Sequence, residues 1–408
     1  MTALDTATQL TGFERRGAGT DAERRAAVWL AGQVRGGRRR ASLQTFWCRP
    51  NWALAQAWHT LAAIGGSLLE VHHGVLGGAI VLGALLCVIA DGLTGYSPGR
   101  RLTREHASQN VVSRGVNPSD RSRVRLIVTA NYDAGRTGLA YRTGLRAPAA
   151  RLRRLAGPFC LGWLGCLALA MVWLLVIAFL RHQGATGSAI GVAQLIPTAG
   201  LVLALALLLE LAAAPFGPAA SDNAAGTAVA MSLVRALDAA PPRRLDVELV
   251  LQGAGESGMA GLRRHLRFRR GELRAATTIV LGVAAAGGGR PTWWASDGPL
   301  IPLRSLGQLR RLAAQTLNGG GATRPPHRGR GTSPAWPARA RRLPALTIGC
   351  LDSRGLVPRS HQAGDTPARL DPAALDALLQ FALTLVDAMD ADLARVTSRR
   401  AGATPAAA

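Results

Sequence analysis

Four stretches of this chain are apolar at nearly every position, and between them short apolar runs alternate with polar, Arg-rich segments. The four are Trp52 to Leu69, Gly74 to Ala90, Pro158 to Leu180 and Ile190 to Ala213. About 20 apolar residues cross the hydrocarbon of a bilayer, so each stretch is a candidate membrane helix. The last two are too long and too uniformly apolar to be amphipathic surface helices. The first two are shorter and also admit a reading as buried core helices, and Trp52 to Leu69 carries Gln56 and His59. Glu70-Val71-His72-His73 joins the first pair and Arg181-His182-Gln183-Gly184 the second. Such short connectors make two hairpins, each returning the chain to the side it left.

The remaining sequence has the periodicities of a soluble fold. Glu23 to Val34 carries Ala26, Ala27, Leu30 and Val34 at helical spacing behind Thr20 and Asp21 as candidate caps. Ser42 to Trp47, Val111 to Ser113, Val124 to Thr129, Leu245 to Leu251, Thr277 to Val283 and Leu346 to Cys350 read as strands, and several are continuously apolar, as buried parallel strands are. Asn223 to Leu237 and Asp371 to Leu393 read as helices. Strands alternating with helices predict an α/β three-layer sandwich around a mostly parallel sheet. Residues 1–50, 93–155 and 215–395 are expected to form one domain, interrupted by hairpins at 51–92 and 156–214, with 396–408 as a disordered tail.

Charge changes the picture in one respect. The net charge of +24 over 408 residues comes from Arg alone, since the chain has no Lys. Schiff-base chemistry and a P-loop lysine are therefore excluded. No nucleic-acid-binding motif accompanies the charge, and Arg clusters beside apolar spans are the signature of cytoplasmic membrane flanks. Arg is dense in residues 14–40, 98–154 and after 216, and sparse in the two hairpin connectors. The expectation is a multi-pass protein of the inner (plasma) membrane, with the bilayer as its partner, no nucleic acid, and all three polar segments in the cytoplasm. The polar N-terminus predicts no cleavable signal peptide. Cys48, Cys87, Cys160, Cys166 and Cys350 have neither disulfide-framework nor metal-site spacing, and read as small buried apolar residues in a reducing compartment.

Candidate chemistry sits after the strands. Asp222 in Ser221-Asp222-Asn223, Glu256 in Gly255-Glu256-Ser257-Gly258 and His361 supply the residue types that bind zinc. Each also has a plainer reading: Asp222 as a helix cap, Glu256 as a surface residue, His361 as a loop histidine. Trp293-Trp294 lines a pocket or simply packs, and Asn318 to Arg330 reads as a flexible basic loop.

In this order and spacing the motifs resemble the zinc aminopeptidase family, metallopeptidase family twenty-eight, whose relatives include bacterial leucyl aminopeptidases, glutaminyl cyclases and the transferrin receptor ectodomain. The resemblance covers residues 12–50, 108–138 and 216–390. Arg125 to Asp133 is similar to the strand that ends in His-x-Asp, Ser221 to Gly226 to the bridging-aspartate motif, Gly255-Glu256 to the Glu-Glu pair, and His361 to the final histidine. The resemblance implies one zinc held by Asp222, Glu256 and His361. It also implies that a second zinc has lost its ligands, since Asn131 stands at the early-His position and Gly282 at that of a later Asp. Gly255 stands where the family keeps its general base, and Asp133 would have oriented the missing His. A register in which Glu256 is the base and Ser257 takes the second position remains open. The expected function is thus a membrane-bound aminopeptidase-like protein with at most one zinc and impaired peptide hydrolysis, acting on a peptide or other small substrate if on any. The alternatives are an active hydrolase in which a water, Asp365 or a residue from another segment replaces the base, and a non-catalytic binding or scaffold protein.

Overall fold

The computed structural model describes residues 1–37, 39–115, 123–157, 160–318 and 325–402. In chain order the helices and strands begin with α1 (Ala3–Thr11), α2 (Asp21–Gly36), β1 (Ser42–Cys48), α3 (Trp52–Leu69), α4 (Gly74–Thr94), α5 (Pro98–Arg101), β2 (His106–Ser113) and β3 (Val124–Asn131). They continue with α6 (Thr143–Ala156), α7 (Trp163–His182), α8 (Ser188–Ala213), α9 (Ala225–Ala239), β4 (Leu245–Gln252), α10 (Ala260–Phe268), β5 (Thr278–Val283) and β6 (Arg290–Asp297). The last are β7 (Leu303–Arg304), α11 (Gly307–Asn318), β8 (His327–Arg328), α12 (Trp336–Ala340), β9 (Ala345–Leu351) and α13 (Pro372–Gly402).

The apolar runs of β3, β4, β5 and β9 are buried along almost their whole length. These strands form the parallel heart of one sheet, ordered β1-β2-β4-β3-β5-β9-β6-β7, with β8 on β6. Antiparallel strands flank it: β1 and β2 at one edge, β6 and β7 at the other. The expected mostly parallel sheet is therefore mixed, because β6, which carries Trp293 and Trp294, runs back along β9 and has no strand-like run of its own in the sequence pattern.

Two helical layers cover the sheet. One face buries α1, α2, α9, α11 and α13, with Leu10, Leu30, Leu233 and Leu385 in the interior. The other buries α10 and α12 against Ile127, Val250 and Val280. Helix α2 starts where Thr20 accepts a hydrogen bond from the Glu23 amide at 3.2 Å, and it turns Ala26, Ala27, Leu30 and Val34 inward. Helix α13 continues through Gly402, so the tail expected to be disordered from residue 396 is helical to that point, and residues 403–408 lie outside the description. Part of the basic loop expected over 318–330 falls on 319–324, also outside it, while His327–Arg328 is the short strand β8.

Among the described residues, four helices are long and apolar enough to cross a membrane: α4, α7, α8 and the Pro372–Arg395 part of α13. Helix α3, expected as a span, is not among them, because Gln56, His59, Thr60 and Ser67 make it too polar on average. Helix α13 was not expected, and its apolar face (Leu378, Phe381, Ala382, Leu385) is already used against the sheet layer. Helices α3, α4, α7 and α8 pack into one bundle around Val81, Val88, Met171, Leu174 and Leu201. A buried polar cluster ties this bundle to the sheet domain. Asp91 of α4 accepts hydrogen bonds from Arg100 at 2.7 Å, Ser97 at 3.0 Å and Gln56 at 2.8 Å. Arg100 also donates to the Arg49 carbonyl at 2.8 Å, just beyond β1. All five cysteines are free, and only Cys350 is fully buried, so the reading of the others as buried apolar residues does not hold.

Candidate functional site

The residues of interest lie where the parallel strands end. Asn131 is the last residue of β3, and Gly255, Glu256 and Ser257 form a single turn just beyond β4. Asp222 sits in a turn of π-helix, Ala220–Ala224, ahead of α9, and His361 lies in the long loop between β9 and α13. Several non-glycine residues here hold positive φ angles: Ala219 at 50°, Ala254 at 48°, Met259 at 61°, Arg359 at 55° and His361 at 60°. Left-handed backbone at such residues costs on the order of 1 kcal/mol each and persists only where the surroundings enforce it.

Glu256 and His361 meet, with Oε2 and Nε2 3.5 Å apart. The other imidazole nitrogen, Nδ1, lies 3.0 Å from the Arg136 carbonyl and so carries the proton. Tyr141 stacks on the ring, the two centroids 4.2 Å apart. This holds Nε2 toward a carboxylate oxygen, where either a proton or a bound cation would join the two. Asn223 bridges toward Asp222: its side-chain nitrogen donates to Glu256 Oε1 and to the Asp133 carbonyl, both at 2.6 Å. The Asp222 oxygens accept from the Asn223 amide at 2.6 Å and from Ser360 Oγ at 2.8 Å. Asp222 makes no side-chain cap for α9, so that plainer reading falls away. Among the described residues no group of three or more His, Cys, Asp or Glu is drawn into metal-binding geometry. Burial raises the Glu256 carboxyl above its ordinary value; His361 opposes the shift and Asp222 adds to it.

The strand-end neighbours explain the rest. A Cβ at Gly255 would lie 2.3 Å from the Asn131 amide carbon, so the Asn131 side chain fills the space that a side chain at 255 would need. Asn131 is buried and its Oδ1 has no hydrogen-bond partner. Gly282 is not at the site: it lies within β5, where a Cβ would meet the Ala335 backbone at 2.7 Å, and Ala284 and Ala285 line the cavity instead. Asp133, expected to have lost its task, accepts the Gly255 and Glu256 amides at 2.8 and 3.0 Å and so fixes the turn that presents Glu256. Asp365 is fully buried and accepts the Ser221 amide at 3.1 Å; burial beside Asp222 pushes its carboxyl up to about 7. It does not line the cavity.

Sequence reading missed Arg16, the largest fully buried cation here. Its guanidinium donates to the carbonyls of Tyr132 at 2.9 Å, Pro218 at 2.6 Å and Ala219 at 2.9 Å, beneath Asp133, Asp222 and Asp365. No motif singles it out among so many arginines.

Asn131, Asp222, Glu256 and His361 open into a cavity of about 960 Å³ that reaches the ends of α3, α4 and α7. Trp294 lines it, whereas Trp293 packs in the core. A second cavity of about 470 Å³ touches Glu256, His361 and Tyr141 from the side of Arg104 and Arg136.

The family model described as Peptidase family M28 matches residues 210–386. The zinc aminopeptidase BSAP from Bacillus subtilis is similar in fold, with a TM-score of 0.53 and 13% identity over 94% of this chain and 93% of that one. A glutaminyl cyclase from Porphyromonas gingivalis gives 0.53 and 12% over 95% and 97%. A leucine aminopeptidase precursor from Bacteroides thetaiotaomicron gives 0.50 and 12% over 95% and 96%. At such identities the likeness is one of fold. No curated protein matches the sequence.

Proposed function

We propose that this chain, whose residues 210–386 match the M28 family model, is a multi-pass membrane protein whose cytoplasmic aminopeptidase-like domain holds at most one zinc and has little or no peptidase activity. The observation that carries this reading is the Asn131 amide packed against Gly255. A positioned general base contributes about 10²–10⁴-fold, and no carboxylate can occupy position 255 while Asn131 fills its space. The donor set fits a single ion in kind: His361 Nε2 and the Glu256 carboxylate face each other, and the Asp222 carboxylate, held by the Asn223 amide and Ser360, would complete it. Such an ion supplies a polarised, acidified water. The chain's own groups orient the ligands: Arg136 fixes the imidazole, Asp133 the Glu256 turn and Ser360 the Asp222 carboxylate.

Retention of the large cavity alongside loss of the base favours a second reading, a non-catalytic binding protein. Zinc stoichiometry and aminoacyl cleavage, measured on the purified full chain, test the first. One zinc per chain, lost in His361→Ala, with cleavage no faster than background, is the expected result. Two zinc ions with robust cleavage would overturn it; no zinc in either protein selects the binding reading.

A further inference from the structure

Helix α6 (Thr143–Ala156) has an unusual surface for a helix outside the apolar bundle. Leu145, Leu152 and Leu155 are exposed, the last to 85%. At about 100° per residue they fall within roughly 80° of arc, opposite the buried Ala150. The same helix carries Arg146, Arg151, Arg153 and Arg154 in sequence and no acidic residue. An apolar stripe on an Arg-rich helix suits the headgroup boundary of an anionic bilayer. The following helix, α7, starts at Trp163 and is one of those long enough to span a membrane.

Helix α6 is also a wall of the site cavity. Arg146 donates to the carbonyls of Val357 at 2.9 Å and Ser360 at 3.3 Å, which anchors α6 beside His361. Ala149 and Leu152 line the cavity, as do Trp52 at the start of α3, Leu161 just before α7 and Leu164 in its first turn. The cavity is polar where Asp222, Glu256 and His361 face it and again at Gln56, Asp91 and Arg100, while Leu152, Leu161, Trp163 and Leu164 give it an apolar stretch at the start of α7. Leu161, at 43% exposure, lies on that apolar side.

We infer that α6 rests on the anionic membrane surface and that the cavity behind it receives an amphiphile from the bilayer, its aliphatic chain between Leu152, Leu161 and Leu164 and its polar, amide- or amine-bearing end at Glu256 and His361. This rests on the membrane reading of the preceding subsection. It commits the site to a lipid-like or lipid-anchored molecule rather than a free dipeptide.

The test uses the full chain in nanodiscs containing phosphatidylglycerol. A long-chain fatty amide carrying a diazirine near the chain end is added to the bilayer, photolysed, and the labelled residues are mapped by mass spectrometry. Labels on Leu152, Leu161 and Leu164 are expected, together with labels on outward residues of α8 such as Leu195 and Leu203. Leu152→Glu, at an exposed position, should lower the cavity labels at least five-fold and leave the α8 labels unchanged. Labels on α8 with none in the cavity would overturn the inference and leave the membrane reading standing. Cavity labels indifferent to Leu152→Glu would overturn the route past α6. Absence of labels on α4, α7 and α8 alike would sink the membrane reading itself.

Discussion

Asn131 and Gly255 act as one unit, because the amide of the first occupies the side-chain volume of the second. Restoring a carboxylate by Gly255→Glu alone should therefore overpack the strand ends. The expected cost is about 1–3 kcal/mol of stability without gain of activity. Adding Asn131→Ala should return most of that stability, and thermal unfolding of the single and double variants reads the difference. Glu23 offers a second prediction. It is buried, accepts hydrogen bonds from the Gly19 and Ala254 amides at 2.7 and 2.9 Å and from Ser108 at 2.8 Å, and burial pushes its carboxyl up to about 7. The folded chain then binds more protons than the unfolded one between about pH 4.5 and 7, so stability falls as pH rises through that window. The loss from this group is on the order of 3 kcal/mol at most. Glu23→Gln should flatten the slope of unfolding midpoint against pH, while losing one acceptor against the Gly19 amide.

Between elements, the Asp91–Arg100 pair is the join between the apolar bundle and the sheet domain, with both side chains buried. Removing one member of a buried pair strands the other's charge, at about 3–5 kcal/mol, whereas replacing both with apolar residues is often near neutral. Arg100→Met should thus destabilise strongly and Asp91→Leu with Arg100→Met much less, read by denaturant unfolding in detergent. The core strands and α2 were legible in the sequence because continuous apolar runs and a capped helical stripe are local signals. Strand β6 was not. Arg290, Pro291 and the Trp pair give no alternating pattern, and β6 becomes a strand only because the exposed edge of β9 pairs with it. The membrane candidates show the same limit from the other side. Helix α13 has the composition of a span yet buries its apolar face on the sheet layer, and only its neighbours distinguish the two fates.

For the whole molecule, the orientation proposed from the Arg distribution can be tested directly. Ala140→Cys, introduced between the hairpins, should react with a membrane-impermeant maleimide only after the cytoplasmic face is opened, and labelling from outside intact cells would reverse the topology. The strands of residues 1–50, 93–155 and 215–395 lie in a single sheet, β1 pairing with β2 and β2 with β4 across both apolar hairpins. The proposed topology needs an even number of crossings in each hairpin for that pairing to form on one side of a bilayer, and so needs α3 to cross beside α4 in spite of Gln56 and His59.

By itself the sequence determined the residue types at the strand ends, the apolar segments and the Arg that flanks them, since composition and period are properties of short windows. Tertiary structure alone decided that Asn131 fills the place of a base, that Asp133 holds the Glu256 turn, that Asp365 is tied to Ser221, and that Arg16 lies buried beneath three carboxylates. Each of those facts joins residues a hundred or more positions apart or depends on which way a side chain points out of its strand. No local pattern encodes either.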